Sequence, residues 1–267
     1  MRYDYGSGTA AIPVSAELPV GPAVTVAAVA GAALDPGGST GLEVTLENRA
    51  TVDVTRTVEL GVPDGWAVEP ATREVTVPAG GSVDVTATVT APLDVTEGPA
   101  PVTVAVGTAA GEQATVDVAV RITNPPADFV DHVDLGEPGS EAAHGLTASP
   151  ASGTSVEAGL TRRYTNTSVP GGWFELDLAV PPGEPFVLRA VETYDGPQLK
   201  DYTLSVDGQV VHERAHQRRE GAGTVTYQVL VQPSEATADG TVRLRFHDTG
   251  TGYDPSIADV WAIALTD

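Results

Sequence analysis

A protein grips a sugar by laying an aromatic ring on the apolar C–H face of a pyranose while carboxylate and guanidinium groups hydrogen-bond its hydroxyls in pairs. Three stretches of this 267-residue chain place such groups beside turn residues: His144 with Arg162-Arg163-Tyr164, Tyr194-Asp195, and Tyr253-Asp254. Loops on a rigid scaffold are where binding groups usually sit. From these stretches His144, Arg163, Tyr164, Tyr194, Asp195, Tyr253 and Asp254 are read as candidate ligand contacts. The competing reading is that Arg163, Tyr164 and Asp254 form an internal polar network pinning long loops to a sheet.

Catalytic signatures are missing. The chain has no cysteine, which excludes thiolate nucleophiles, thiolate metal sites and disulfides. Carboxylates are so numerous that pairs of them discriminate little. His212 and His216 have the spacing of a zinc pair only if their segment is helical, and no third ligand can be named. That segment follows a hairpin and reads as an exposed, charged loop whose Arg214, Arg218 and Arg219 form a solvated basic spot.

The elements that carry these residues are strands. In the first half, apolar and polar residues alternate through Val24–Val26, Leu42–Leu46, Val52–Leu60, Glu74–Val77, Val83–Val89, Val102–Val106 and Val116–Val120. Turn signals such as Pro63-Asp64-Gly65 and Pro78-Ala79-Gly80-Gly81 separate them, as in an antiparallel immunoglobulin-like sandwich. The second half reads as strands at Trp173–Val180, Phe186–Tyr194, Tyr202–Val206, Gln209–His212, Val225–Val231, Val242–Phe246 and Asp259–Leu265, with Asp207-Gly208 as a tight hairpin turn. Trp66, Trp173, Trp261, Tyr202 and Phe246 read as core.

Composition divides the chain at the same place. Up to Pro125 the only aromatics are Tyr3, Tyr5 and Trp66; all five histidines and the single lysine, Lys200, lie beyond it. The expected plan is all-β: an N-terminal segment over 1–21, an immunoglobulin-like sandwich over 22–123, a linker over 124–127 and a jelly-roll sandwich over 128–267. Residues 1–21 are expected to be the tail of a missing domain.

With 36 Asp and Glu against 14 Lys and Arg, the net charge of −22 disfavours nucleic acid and anionic membranes as partners. No apolar run is long enough to span a bilayer.

Leu42-Glu43-Val44-Thr45-Leu46-Glu47-Asn48, Val62-Pro63-Asp64-Gly65-Trp66 and Val77-Pro78-Ala79-Gly80-Gly81 together resemble the NPCBM-associated immunoglobulin-like module of bacterial α-galactosidases. The second half resembles a galactose-binding-like jelly roll. Ser140–Leu146, Gly159–Tyr164, Gly172–Glu175 and Tyr253–Trp261 are similar to the C-terminal sandwich of actinobacterial β-L-arabinofuranosidase-type glycoside hydrolases, whose catalytic barrel is absent here.

The resemblance implies a non-catalytic accessory region of a secreted or cell-surface bacterial glycoside hydrolase, with a polysaccharide or oligosaccharide and a catalytic domain of the same polypeptide as partners. The alternatives are a structural tail packed on that catalytic domain and a cell-surface adhesion module. Jelly rolls of this class also imply a structural Ca2+, for which Asp134, Glu137 and Asp259 supply oxygen ligands suited to a hard cation.

Overall fold

The computed structural model describes residues 2–5, 8–11, 23–31, 33–107, 112–232 and 238–265. The expectation for residues 1–21 falls partly outside this set; within it, β1 (Arg2–Tyr5) and β2 (Gly8–Ala11) pair as an antiparallel hairpin.

Two four-stranded antiparallel sheets follow. The strands are β3 (Val24–Gly31), β4 (Ser39–Asn48), β5 (Val54–Gly61), β6 (Ala67–Glu69), β7 (Thr72–Val77), β8 (Ser82–Thr90), β9 (Gly98–Val106) and β10 (Glu112–Val120). One sheet runs β3-β4-β8-β6 and the other β10-β9-β5-β7. Alternation places Leu42, Val44 and Leu46 of β4 opposite Val102 and Val104 of β9 in one buried core. Trp66 packs at the margin of that core, half-buried, so it is a structural residue. Asn48 is 1 % exposed and fully used: its amide donates to the carbonyls of Val52, Val77 and Pro78 and accepts from Ala50 N–H, tying two turns together.

The second sandwich contains β11 (Asp131–Asp134), the short helix α1 (Pro138–Ala143), β12 (Thr147–Ala148), β13 (Ser152–Glu157), β14 (Leu160–Thr165), β15 (Trp173–Ala179), β16 (Phe186–Tyr194), β17 (Gln198–Val206), β18 (Gln209–Arg218), β19 (Gly223–Val231), β20 (Thr241–Asp248) and β21 (Ser256–Ala264). One sheet runs β13-β14-β21-β16-β19, with β11 also on β21; the other runs β12-β15-β20-β17-β18. The last strand thus returns to the first, as the jelly-roll reading expects. Asp207 and Gly208 both take positive φ, 49° and 82°, as the two-residue hairpin requires. Between the sheets lie Phe174, Leu176, Leu188, Leu204, Tyr202, Tyr227 and Phe246. One tryptophan differs from expectation. Trp173 is half-buried on the outer face, under the Arg245 guanidinium at 4.3 Å, because the inward positions of β15 are Phe174, Leu176 and Leu178. Trp261 is buried as expected, in a small cluster with Val191 and Ala258, and His132 stacks on it at 4.8 Å.

The segment read as a charged loop is the second half of β18. His212, Arg214, His216 and Arg218 alternate inward while Glu213, Ala215 and Gln217 are exposed. Each inward group meets a tyrosine ring: His212 and Arg214 lie on Tyr227 at 5.5 and 4.3 Å, and His216 and Arg218 lie by Tyr194 at 6.3 and 6.0 Å. Burial and the Arg214 charge hold both imidazoles below the ordinary histidine pKa. The two histidines therefore serve packing, and no helix carries a zinc pair.

Arg214 is 4 % exposed and reaches the fully buried Glu192 through Nε, at 3.0 Å, and Nη2. Tyr194 donates to Glu192 at 2.9 Å and Tyr202 at 2.7 Å, while the Tyr202 and Tyr227 hydroxyls lie 3.0 Å apart. Although burial opposes its charge, Arg214 and these hydroxyls hold the Glu192 carboxyl below the ordinary carboxylate range.

The first sandwich docks on this region. Gln228 N–H donates to the Val95 carbonyl and Glu97 N–H to the Thr226 carbonyl, both at 2.7 Å, so that Thr96 and Tyr227 form an antiparallel bridge on the open edge of β19. Arg214→Met leaves Glu192 charged and unpaired in the core. It is expected to cost about 3–5 kcal/mol, read as a lower urea midpoint.

Candidate functional site

Five loops meet at one end of the second sandwich: 149–151, 166–172, 195–197, 219–222 and 249–255. They join because β14, β16, β18 and β20 all end there, while β13, β15, β17, β19 and β21 begin there. Tyr164, Tyr194, Asp195, Tyr253 and Asp254, drawn from three separate stretches of sequence, are brought together at this end.

Their roles differ. Tyr253 is 44 % exposed, and its N–H donates to the carbonyl of Leu199, itself a partly exposed apolar side chain. Tyr164 is half-buried beneath the Arg162 guanidinium at 4.4 Å, in space that Gly153 leaves open by having no Cβ. Asp195 is exposed and accepts from Gln198 Nε2. Tyr194 is not the exposed platform its flanking turn residues suggest. It is fully buried because it ends the inward row of β16, and burial beside Glu192 pushes its hydroxyl pKa upward.

Bridged to Tyr253 through the backbone is Lys200, 1 % exposed, with Nζ 5.3 Å from the centre of the Tyr194 ring. It makes no ion pair with a described residue. Burial lowers its pKa, opposed by the charges of Asp254, Glu157 and Glu192. Around it, Arg162 donates to Ser256 Oγ at 2.8 Å and Glu157 at 3.2 Å, and Thr167 Oγ1 donates to Asp254 Oδ1.

Eight buried side-chain polar atoms lack a partner among the described residues, and five of these belong to this end: Arg162 Nε, Thr165 Oγ1, Gln198 Oε1, Asp248 Oδ2 and Asp254 Oδ2. Buried polar atoms are ordinarily satisfied by protein or ordered water, and this end gathers most of the exceptions among the described residues. Gln198, Asp248 and Lys200 are missed by sequence reasoning, because they sit in strands and Lys200 stands out only as the single lysine; Arg162 stands in a stretch named for sugar chemistry but not among the candidate contacts.

His144 and Arg163 lie outside this arrangement. His144 Nδ1 is 2.7 Å from the Ser140 carbonyl and Nε2 is 3.3 Å from Asp131, and its own carbonyl accepts from Asp177 N–H toward the opposite end of β15. Arg163 grips Glu141 with two parallel bonds of 2.7 and 2.6 Å and adds Ser152 at 3.1 Å. Both hold the helix and β13 in place, as the internal-network reading expects of Arg163.

The oxygens read as calcium ligands stand on β11, on β21 and at the start of α1. Asp134 and Asp259 face each other across β11 and β21, where burial and the Asp259 charge raise the Asp134 pKa. Asp259 Oδ1 lies 2.8 Å from His132 Nε2, and Glu137 caps α1 by accepting from Ser140 N–H. Among the described residues no group of three or more His, Asp or Glu side chains is placed to hold a metal ion.

A cavity of about 740 Å³ lies between the sandwiches, lined by Leu93, Phe129, Val187, Arg189 and Ile263 among others. Its lining is mainly apolar, and Arg189 already donates to Gln228 Oε1 and the Thr123 carbonyl. The loop end, rather than this seam, gathers the unsatisfied polar groups.

Residues 34–109 match the NPCBM-associated, NEW3 domain of alpha-galactosidase. No curated protein matches the chain. Solved structures similar to it include CBM35 from Paenibacillus barcinonensis, at 16 % identity over 50 % of this chain and 98 % of that one, with a TM-score of 0.35. An exo-beta-1,3-galactanase from Phanerochaete chrysosporium with beta-1,3-galactotriose is 8 % identical over 87 % of this chain and 56 % of that one, TM-score 0.35. The secreted serine protease VesC from Vibrio cholerae is 11 % identical over 90 % of this chain, TM-score 0.30; the chain spans 52 % of its length.

Asp254 shows what the loop end costs the fold. Its carboxyl pKa is raised above 3.8, chiefly by burial, so the folded state holds the proton more tightly than the unfolded one. Stability is therefore lost as pH rises through the raised pKa. Asp254→Asn is expected to melt higher than the parent chain at pH 7, with the difference vanishing below the unfolded carboxyl pKa of 3.8, measured by calorimetry across pH.

Proposed function

We propose that this chain is a non-catalytic accessory region of a secreted bacterial glycoside hydrolase, and that its second sandwich binds a saccharide at the five-loop end. The observation that carries the reading is the set of unpartnered buried groups gathered at the end of the sandwich where the Tyr253 ring is exposed. A sugar hydroxyl both donates and accepts, so a polyol suits an end of the sandwich that holds both an unpartnered Arg162 N–H and unpartnered Asp254, Asp248 and Gln198 oxygens. Tyr253 and Leu199 offer an apolar lip for the C–H face of the ring. The match of the first sandwich to a module associated with alpha-galactosidase supports the accessory role.

In affinity electrophoresis and a glycan array with the full chain, Tyr253→Ala is expected to weaken retention about tenfold, the worth of one aromatic contact. Its melting temperature stays unchanged because the ring is exposed. His144→Ala keeps full retention. A chain that retains no glycan at millimolar ligand, or a Tyr253→Ala variant that binds like the parent, overturns the reading and leaves the tail packed on a catalytic domain as the better account.

A further inference from the structure

An unbroken line of contacts runs from the first sandwich to the floor of the loop end. It begins at Thr96, between β8 and β9, whose Oγ1 accepts from Arg214 Nη1 at 2.9 Å. Arg214 passes through Nε and Nη2 to Glu192, Glu192 Oε2 takes the Tyr194 hydroxyl at 2.9 Å, and the Tyr194 ring forms the shelf under Lys200 Nζ at 5.3 Å. Glu192 has no exposure, Tyr194 none and Lys200 1 %, so no water layer separates these groups.

We infer that Thr96 is a positioning residue for the loop end: the first sandwich fixes where the Lys200 ammonium sits by holding one arm of the Arg214 fork. Arginine is a rigid plane, so its three contacts are not independent. With the Thr96 hydroxyl in place, Nη1 is anchored outside the second sandwich and the other two donors meet Glu192 side on. Without it, a buried Nη1 N–H has no acceptor, and the guanidinium must turn toward the only carboxylate it touches. Glu192 Oε2 is shared with Tyr194, so that turn displaces the ring on which Lys200 rests. The bearing of this on binding rests on the saccharide reading; the geometry of Lys200 does not.

Lys200 is the single lysine of the chain and so reports on itself. Acetylation of the full-length protein by an amine-reactive anhydride, followed at the Lys200 peptide by mass spectrometry, measures how often the shelf opens. Thr96→Val is expected to raise the Lys200 labelling rate about fivefold, the equilibrium shift of one lost hydrogen bond. Thr96→Ser, which keeps the hydroxyl, restores the parent rate.

Thr226→Val is the control. It loosens the same seam by removing the acceptor for Asn124 Nδ2 without touching Arg214, and it leaves Lys200 labelling unchanged. Hydrogen exchange over 72–77 in the first sandwich stays at the parent level in all three variants, which separates local opening from general unfolding. A Thr96→Val chain that labels like the parent overturns the inference, as does a Thr226→Val chain that labels equally fast. Either result stands whether or not any glycan is retained.

Discussion

A carboxylate with no solvent exposure sits in the middle of a β-sandwich, and the second half of this chain is organised around making that tolerable. Glu192 is answered by the guanidinium of Arg214 and by the hydroxyls of Tyr194 and Tyr202. Burying a charge without such an environment is prohibitive, and the geometry that answers it must be held closely. Arg214 cannot come from a loop; it stands on an ordered strand, which is why β18 continues to Arg218. The tyrosines must present hydroxyls inward, which narrows the choice of rotamers at both sheets. Part of the stabilisation comes from outside the sandwich, through Thr96.

The uneven use of cations follows from the same constraint. On a chain of net charge −22, arginines might be expected to sit among surface carboxylates. Several are drawn inward instead: Arg162 to Glu157, Arg163 to Glu141 and Arg214 to Glu192, all with limited exposure. The acidic surface is left largely unneutralised, while the second sandwich concentrates its positive charge at a few buried joints. Lys200 is the exception, a buried cation without a carboxylate in direct contact, and it lies where the unsatisfied polar atoms gather.

Strand positions that alternate apolar and polar residues were legible, because period-two patterning is a direct consequence of the pleat. Leu42-Glu43-Val44-Thr45-Leu46 and Phe186–Tyr194 appear as strands where the pattern puts them, and Asp207-Gly208 turns as its backbone demands. The second half of β18 is hidden because its inward row is written in histidine and arginine; the alternation is present, but hydropathy alone shows only a charged stretch. Tyr194 was misplaced for the opposite reason, since a neighbouring turn says nothing about which face a strand's last residue takes. Trp173 was recoverable: Phe174, Leu176 and Leu178 fix the inward parity of β15 and leave the tryptophan outside. The approach of Asp254 to Lys200 is not recoverable, because it depends on how two sheets close over one another rather than on any local spacing.

The strip of chain from Leu93 to Glu97 belongs by sequence to the first sandwich and by hydrogen bonding to the second. It occupies the backbone groups along the middle of β19, so that edge is closed to a strand from another molecule. A cut at the compositional boundary near Pro125 would part this bridge as well as a tether. Anyone grafting the second sandwich onto another scaffold would uncover the unpaired backbone groups of β19 unless the transplanted piece began upstream of Leu93.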